Sequence, residues 1–244
     1  MLRVDPNASL PRAFVDTDRY AELGFGECTA LQRELAGRVI AVGDGSAIER
    51  VVGVDTAVDD ETGHMFGAAA IVDASSGELV EVGRAQSQVG FEYVPGLLSF
   101  REVPLIVEAL AALHSPFDLI MCDGHGLIHP RRFGLACHLG VLLSKRSVGV
   151  GKTYLLGDHD EPEHEKGAFA DVVDEGEVVG RFVRTRDSIK PVYVSVGHLI
   201  DLDEATEIVT RLSIVARVPE PVRRADIEAN AMRRRFRARR YPAG

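Results

Sequence analysis

The stretch Val51-Val52-Gly53-Val54-Asp55-Thr56 is a β-branched run that ends on a carboxylate, the composition of a strand buried on both faces. Two more strand-like runs, 65–72 and 79–85, follow across the turn-forming segments Glu-Thr-Gly and Ala-Ser-Ser-Gly, which predicts a three-strand antiparallel meander. Upstream, Leu31, Leu35 and Ile40 recur near helical spacing and predict a helix over 27–42. Downstream, Leu105, Ile106, Ala109, Leu110 and Leu113 predict a helix that starts at Pro104. A strand is expected over 118–122, a helix over 131–143 after Pro130, and strands over 147–150, 178–184 and 192–196. A last helix over 203–216 has Asp201 or Asp203 as its cap. Strands first, then alternating helices and strands, define an α/β fold with a mixed β-sheet flanked by helices.

The chain has 244 residues, 45% of them hydrophobic and 27% charged, enough for one well-filled core and inconsistent with a disordered protein. No apolar run reaches the length of a membrane-spanning helix. The opening MLRVDPNASLPRAF places prolines and polar residues where a secretory signal would be apolar, and its first fifteen or so residues are expected to be loosely ordered. Cys28, Cys122 and Cys137 are odd in number and lack C-x-x-C spacing, so reduced thiols in the cytoplasm are expected rather than disulfides or zinc. Nothing calls for a dimer, and a monomer is expected.

A net charge of −9 argues against the whole surface binding nucleic acid, but the charge is segregated. The segment 230–244 carries six arginines and no acid, 158–177 carries nine acids against one lysine, and 124–152 carries Arg131, Arg132, Lys145, Arg146 and Lys152 with no acid.

Asp55 and Asp123 each end a buried-looking strand, in VVGVD and LIMCD. Either alone could cap a turn. If the two strands are neighbours, however, the carboxylates converge, and buried like charges call for a cation. An oxygen-only ligand set suits magnesium or manganese rather than zinc. Glu102, just ahead of the proline-started helix, and Asp226, in PEPVRRAD, supply two further acids. Glu102 could instead serve only as a favourable charge at a helix N-terminus, and Asp226 could be an isolated surface residue. Four such acids are the parts of a two-metal phosphodiester-cleaving site.

The segment Asp123-Gly124-His125-Gly126-Leu127-Ile128-His129-Pro130-Arg131-Arg132 suits a phosphate. Gly124 allows close backbone approach, Arg131 can fork onto phosphate oxygens, and Lys152 or His129 can steady the scissile group or the attacking water. His125 is a weaker candidate than His129, and His138 and His198 fit packing roles. Gly149-Val-Gly-Lys152 lacks the spacing of a nucleotide-binding phosphate loop. Tyr93 stands on the Pro95-Gly96 turn directly before Glu102. Such a tip is either a wedge that fills the gap left by an extruded base or a tyrosine buried at a strand end.

These residues resemble the endonuclease V family. The matching stretches are GVDTA, EYVPGLLSFRE, CDGHGLIHPRRFGLACHLG, SVGVGKTYLLG, VYVSVGHLIDLDEA and VPEPVRRAD, in family order from Val51 to Asp226. The resemblance implies an RNase H-like fold and magnesium-dependent hydrolysis, with Mn2+ able to substitute, of the second phosphodiester bond 3′ to deoxyinosine in DNA. The products would be 3′-hydroxyl and 5′-phosphate ends. It assigns metal binding to Asp55, Glu102, Asp123 and Asp226, catalytic roles also to His129 and Lys152, and the wedge to Tyr93. With the readings above, Pro95, Gly96, Gly124, His125 and Arg131 join Tyr93 as DNA-binding residues. The chain is expected to divide into an N-terminal extension 1–24, an endonuclease V-like catalytic domain 25–229 and a basic tail 230–244. Thr56, where the family is usually apolar, Glu92, where an uncharged residue is common, and the arginine-rich tail depart from the pattern. An endonuclease directed at inosine-containing RNA, a catalytically silent lesion-binding protein and an interaction protein are the alternatives. The tail is either a solvated end or a nucleic-acid arm.

Overall fold

The computed structural model describes residues 10–240. Eight strands form one mixed sheet in the order β3-β2-β1-β4-β5-β8-β7-β6. β1 (Arg50–Asp59), β2 (His64–Asp73) and β3 (Leu79–Gln88) make the expected antiparallel meander, while β4 (Leu119–Asp123) and β5 (Arg146–Gly151) run parallel to β1. β8 (Val192–His198), β7 (Glu177–Val183) and β6 (Phe169–Asp174) complete the sheet in antiparallel pairing. Along β1, Val52 and Val54 pack into one core, whereas Val51 and Ala57 face the other side. This period-two division explains an uninterrupted apolar run at the centre of the sheet.

Helices α2 (Phe25–Ala36), α3 (Leu98–Ala111) and α4 (Leu135–Leu143) cover the Val52 face. Helices α5 (Leu202–Leu212) and α6 (Glu220–Arg240) cover the other. Asp201 is the cap of α5, accepting the Glu204 amide at 2.8 Å. The helical turn α1 (Arg12–Val15) and a 3-10 helix over Thr17–Glu22 precede α2.

The structure differs from these expectations at several element ends: β1 runs on to Asp59, paired with β2, so Asp55 lies within the strand and not at its end; only the pairing with β4 stops beside it. α2 stops at Ala36, because the backbone of Ile40 bonds His198 Nδ1 and the Leu199 amide instead of continuing the helix. α3 begins six residues before Pro104, since Phe100 and Val103 belong to the same buried face as Ile106. The proline is therefore inside the helix, and Glu102 lies in its body rather than ahead of it. α4 begins at Leu135, because Arg132 has φ 53° and interrupts any helix from Arg131. α5 ends at Leu212, short of 216. β6 is an edge strand that hydrophobicity does not reveal; its signal is the Glu175-Gly176 turn, with φ of 53° and 83°, which closes a hairpin onto β7.

The ends of the chain are more integrated than the sequence suggests. Phe14 and Tyr20 are fully buried in the main core, so the loose order expected of the start does not hold there; residues 1–9 lie outside the described residues. The boundary at 229/230 falls within α6, which continues without a break to Arg240. Residues 241–244 lie outside the described residues. The three cysteines are free and buried. Among the described residues no helix is long and apolar enough to cross a membrane.

Candidate active site

β1 and β4 are parallel neighbours, paired up to Val54 and Cys122, so Asp55 and Asp123 emerge side by side one residue further on. α6 supplies the third carboxylate. Its first turn rests directly on Gly53, where a Cβ would lie 2.0 Å from the Pro221 carbonyl carbon; only glycine permits that approach, and it lowers Asp226 onto these two aspartates. One oxygen each from Asp55, Asp123 and Asp226 lie within 4.8 Å of one another.

Lys152, just past the end of β5, forms a short ion pair from Nζ to Asp123 Oδ2. Asp55 accepts the Thr56 amide at 2.8 Å. Burial and then the Asp123 charge raise the Asp55 carboxyl to about 9. Burial raises Asp123 as well, opposed mainly by the Lys152 ammonium. Burial disfavours the Lys152 charge, but Asp123, Asp55 and Asp226 together raise its pKa. Fully ionised, the three carboxylates would carry more negative charge than one lysine neutralises, which is why burial and mutual repulsion favour protonation of Asp55. All three donors are carboxylate oxygens, the set that suits a hard divalent cation.

Glu102 stands apart from this trio. Its Oε1 accepts the Thr56 hydroxyl at 2.8 Å, and burial raises it to about 7 against that stabilising bond. The charge of Asp123 also raises it, so Glu102 borders the cluster electrostatically without joining its oxygen cage. Asp226 is held from its own helix: Asn230 Nδ2 donates to its Oδ1 at 3.1 Å, and Arg233 anchors Asn230 Oδ1 at 2.7 Å while donating to the Val58 carbonyl at 3.1 Å.

A second group forms beside the carboxylates. Gly96, with φ 80°, turns its carbonyl inward beneath the exposed Tyr93 and Pro95. That oxygen accepts from Gln32 Nε2 at 3.0 Å, His129 Nε2 at 3.0 Å and Arg131 Nη2 at 2.6 Å. Arg131 Nε also donates to Gln32 Oε1 at 2.6 Å. His129 is buried, and burial followed by the Arg131 charge lowers its pKa to about 4. Its Nδ1 accepts the Arg131 amide at 3.2 Å, so the neutral Nε2–H tautomer fits both contacts. His129 and Arg131 therefore clamp the Tyr93 turn, whereas Lys152 reaches the carboxylates. Gln32, from α2, carries no local sequence signal that would mark it as part of the site.

A pocket of about 210 Å³ opens between this turn and the Gly124-His125 segment, with Leu135 and Tyr154 also on its wall. Tyr93 stands over it 61% exposed, as a wedge must and a packed tyrosine would not. Burial lowers His125 to about 4, which keeps it neutral, with Nε2 3.1 Å from the Thr153 carbonyl. His138, as the sequence suggests, is a packing residue: it bonds the Tyr20 hydroxyl at 2.8 Å and Ser99 at 3.0 Å within the core.

The mixed sheet, with carboxylates side by side on two adjacent parallel strands just past their last pairing and a third on the helix across them, is that of an RNase H-like nuclease. Residues 33–227 match the Endonuclease V family. The chain is 46% identical over 202 residues to the endonuclease V of Streptomyces avermitilis, an alignment covering 82% of this chain and 88% of that one. The crystal structure of the Streptomyces avermitilis protein superposes with a TM-score of 0.83 at 43% identity, covering 87% of this chain and 94% of that one. That of the Bacillus subtilis endonuclease V gives 0.85 at 32% identity, covering 92% and 98%. The fold is also that of the Ciona intestinalis endonuclease V, at 22% identity and a TM-score of 0.79 over 86% of this chain and 98% of that one; it was crystallised with a 24mer DNA containing an inosine followed by a ribo-adenosine. The chain belongs to the endonuclease V family of nucleases.

Proposed function

We propose that the protein is a divalent-cation-dependent endonuclease that hydrolyses the second phosphodiester bond 3′ to deoxyinosine in DNA, with magnesium as its cation. The observation that carries this reading is the convergence of Asp55, Asp123 and Asp226 within 4.8 Å beside a pocket overhung by Tyr93. The inosine-containing strand bound by the Ciona protein supports the choice of lesion.

In this reading Tyr93 and Pro95 enter the stack where the lesion leaves it, and the base rotates into the pocket between the Gly96 turn and Gly124-His125. The Gln32, His129 and Arg131 clamp on Gly96 keeps the wedge rigid, so little ordering is needed on binding. The displaced base directs the following phosphates toward Asp55 of β1 and Asp123 of β4, where the pairing of the two strands ends. Asp55, Asp123 and Asp226 hold the cation, with Glu102 bordering them, and Lys152 orients Asp123 while placing positive charge beside the scissile phosphate. A divalent ion held by these three carboxylates would supply a lowered water pKa and positive charge for the departing oxygen. Water adds to phosphorus, the bond to the 3′-oxygen breaks, and the products are a 3′-hydroxyl and a 5′-phosphate.

The test is an end-labelled duplex with one deoxyinosine, incubated with and without magnesium, with wild type and Asp123→Asn. Nicking one nucleotide beyond the lesion, only with wild type and metal, is expected. Nicking by Asp123→Asn at the wild-type rate would refute the site. Because the Ciona ligand carried a ribo-adenosine after its inosine, an inosine-containing RNA strand is run in parallel. Cleavage of RNA alone would replace DNA by RNA as the substrate.

A further inference from the structure

The family match ends at residue 227, yet α6 continues for three and a half more turns and carries Arg233, Arg234, Arg235, Arg237, Arg239 and Arg240. This extension is fixed to the sheet. The Phe236 ring lies 4.4 Å from that of His64 and 5.4 Å from that of Phe66, centroid to centroid. Arg237 pairs with the buried Asp59 at the β1 end, and Arg233 bonds the Val58 carbonyl. The anchoring leaves a rigid basic rod that starts at the active site: at 1.5 Å per residue, Arg233 lies about 10 Å and Arg240 about 21 Å along the axis from Asp226.

The charges are not all spent internally. Asp59, Asp60 and Glu61 in the β1–β2 turn favour the Arg237 charge, and Glu228 bridges Arg84 at 2.9 Å and Arg235 at 3.5 Å. Seven arginines, counting Arg84, thus face four acids in a chain whose overall charge is −9. Arg234 and Arg239 are exposed and make no hydrogen bond or ion pair among the described residues. Helix-end electrostatics favour cations only in the last turn and do not account for arginines that begin about one turn earlier.

We propose that the end of α6 is a phosphate-binding arm, with Arg234, Arg235 and Arg239 as its outward donors, which grips the backbone of the substrate nucleic acid flanking the cleavage position. This rests on the reading of the protein as a nuclease acting on nucleic acid. The ligand chemistry is that of a polyanion with evenly spaced phosphates. The arm carries no base-reading geometry, so it contributes affinity without lesion preference.

The experiment measures the salt dependence of binding to a fluorescent duplex, with and without deoxyinosine, in a chelator that prevents turnover. Wild type is compared with the triple variant R234Q/R235Q/R239Q, which leaves the anchors Arg233 and Arg237 in place. Each lost phosphate contact flattens the plot of log K against log salt by about 0.9, so the triple variant should be less steep by about 2 to 3 on both duplexes. The triple lysine variant, R234K/R235K/R239K, should keep the wild-type slope, which separates charge from any disturbance of the helix. An unchanged slope in the glutamine variant overturns the arm, as does an equal loss in the lysine variant. Nicking of the deoxyinosine duplex by wild type is scored separately: a flattened slope without nicking keeps the arm and rejects the proposed reaction, and nicking with an unchanged slope does the reverse.

Discussion

Replacing Asp55 by asparagine should make the metal-free protein more stable while destroying the cation site. In the unfolded chain this carboxyl ionises near pH 4. In the folded, metal-free protein, burial and the neighbouring Asp123 hold it protonated up to about pH 9. Its destabilising effect is therefore absent below pH 4, grows as pH rises, and is complete above 9. At one pKa unit per 1.36 kcal/mol, the three units between pH 4 and pH 7 set an upper bound of about 4 kcal/mol. Solvent screening at this partly exposed carboxyl reduces this to about 1–2 kcal/mol. For a chain of this length that corresponds to a melting point higher by roughly 2–8 °C. Asparagine keeps the acceptor for the Thr56 amide, so the substitution removes charge without removing the turn contact. Thermal unfolding in chelator, followed by circular dichroism from pH 5 to pH 9, should show the gap between variant and wild type widening with pH. Saturating magnesium should close it from the wild-type side. A variant equal to or less stable than wild type at pH 8 would refute the reasoning that the carboxylates repel each other.

Other substitutions separate the remaining parts of the site. Thr56→Val removes the 2.8 Å bond to Glu102; a hydrogen bond to a charged group is worth about 1.5–3 kcal/mol, so the acid limb of the pH–rate profile should move up by about one unit, with Thr56→Ser restoring it. Gln32→Ala strips one donor from the Gly96 carbonyl and leaves Arg131 Nε without its acceptor. The loosened turn should raise KM about ten-fold, as expected for a loss of about 1.4 kcal/mol, with kcat nearly unchanged. Equal losses in both constants would place Gln32 in the chemistry instead. Tyr93→Ala should weaken binding to a deoxyinosine duplex by about 1–3 kcal/mol, the worth of one stacking contact, and weaken binding to a single strand less. Equal losses on both, measured by fluorescence anisotropy, would remove the wedge role.

The two aspartates are legible because a carboxylate following a β-branched run contributes little to packing and such runs in parallel neighbours converge; that β1 continues past Asp55 to Asp59 is not legible, because the residues beyond it are held by pairing with β2. Nor is α6. Its buried face is Ala225 and Ala229 against Ala57, Ala68 and Ala70, and small residues packed on small residues give no hydrophobic periodicity to read. Local pattern therefore leaves Asp226 open between a ligand and an isolated acid, and separates the arginines from the domain as a tail although α6 is continuous. The Gly96 clamp was illegible for a different reason: Gln32 and Gly96 are 64 residues apart, and polar contacts at that separation leave no trace in local pattern. Pro104 misled the placement of Glu102, since proline is favoured in the first turn of a helix but is tolerated here within α3, where burial of Phe100 and Val103 extends the helix toward the wedge.

In the proposed reaction Asp55, Asp123 and Asp226 together hold a divalent cation. Anomalous scattering from crystals soaked in Mn2+ tests it most directly, because it locates the ion without relying on turnover. A peak within coordinating distance of oxygens from all three carboxylates is predicted, with its loss in Asp226→Asn. A peak elsewhere, or an undiminished peak in Asp226→Asn, would contradict it.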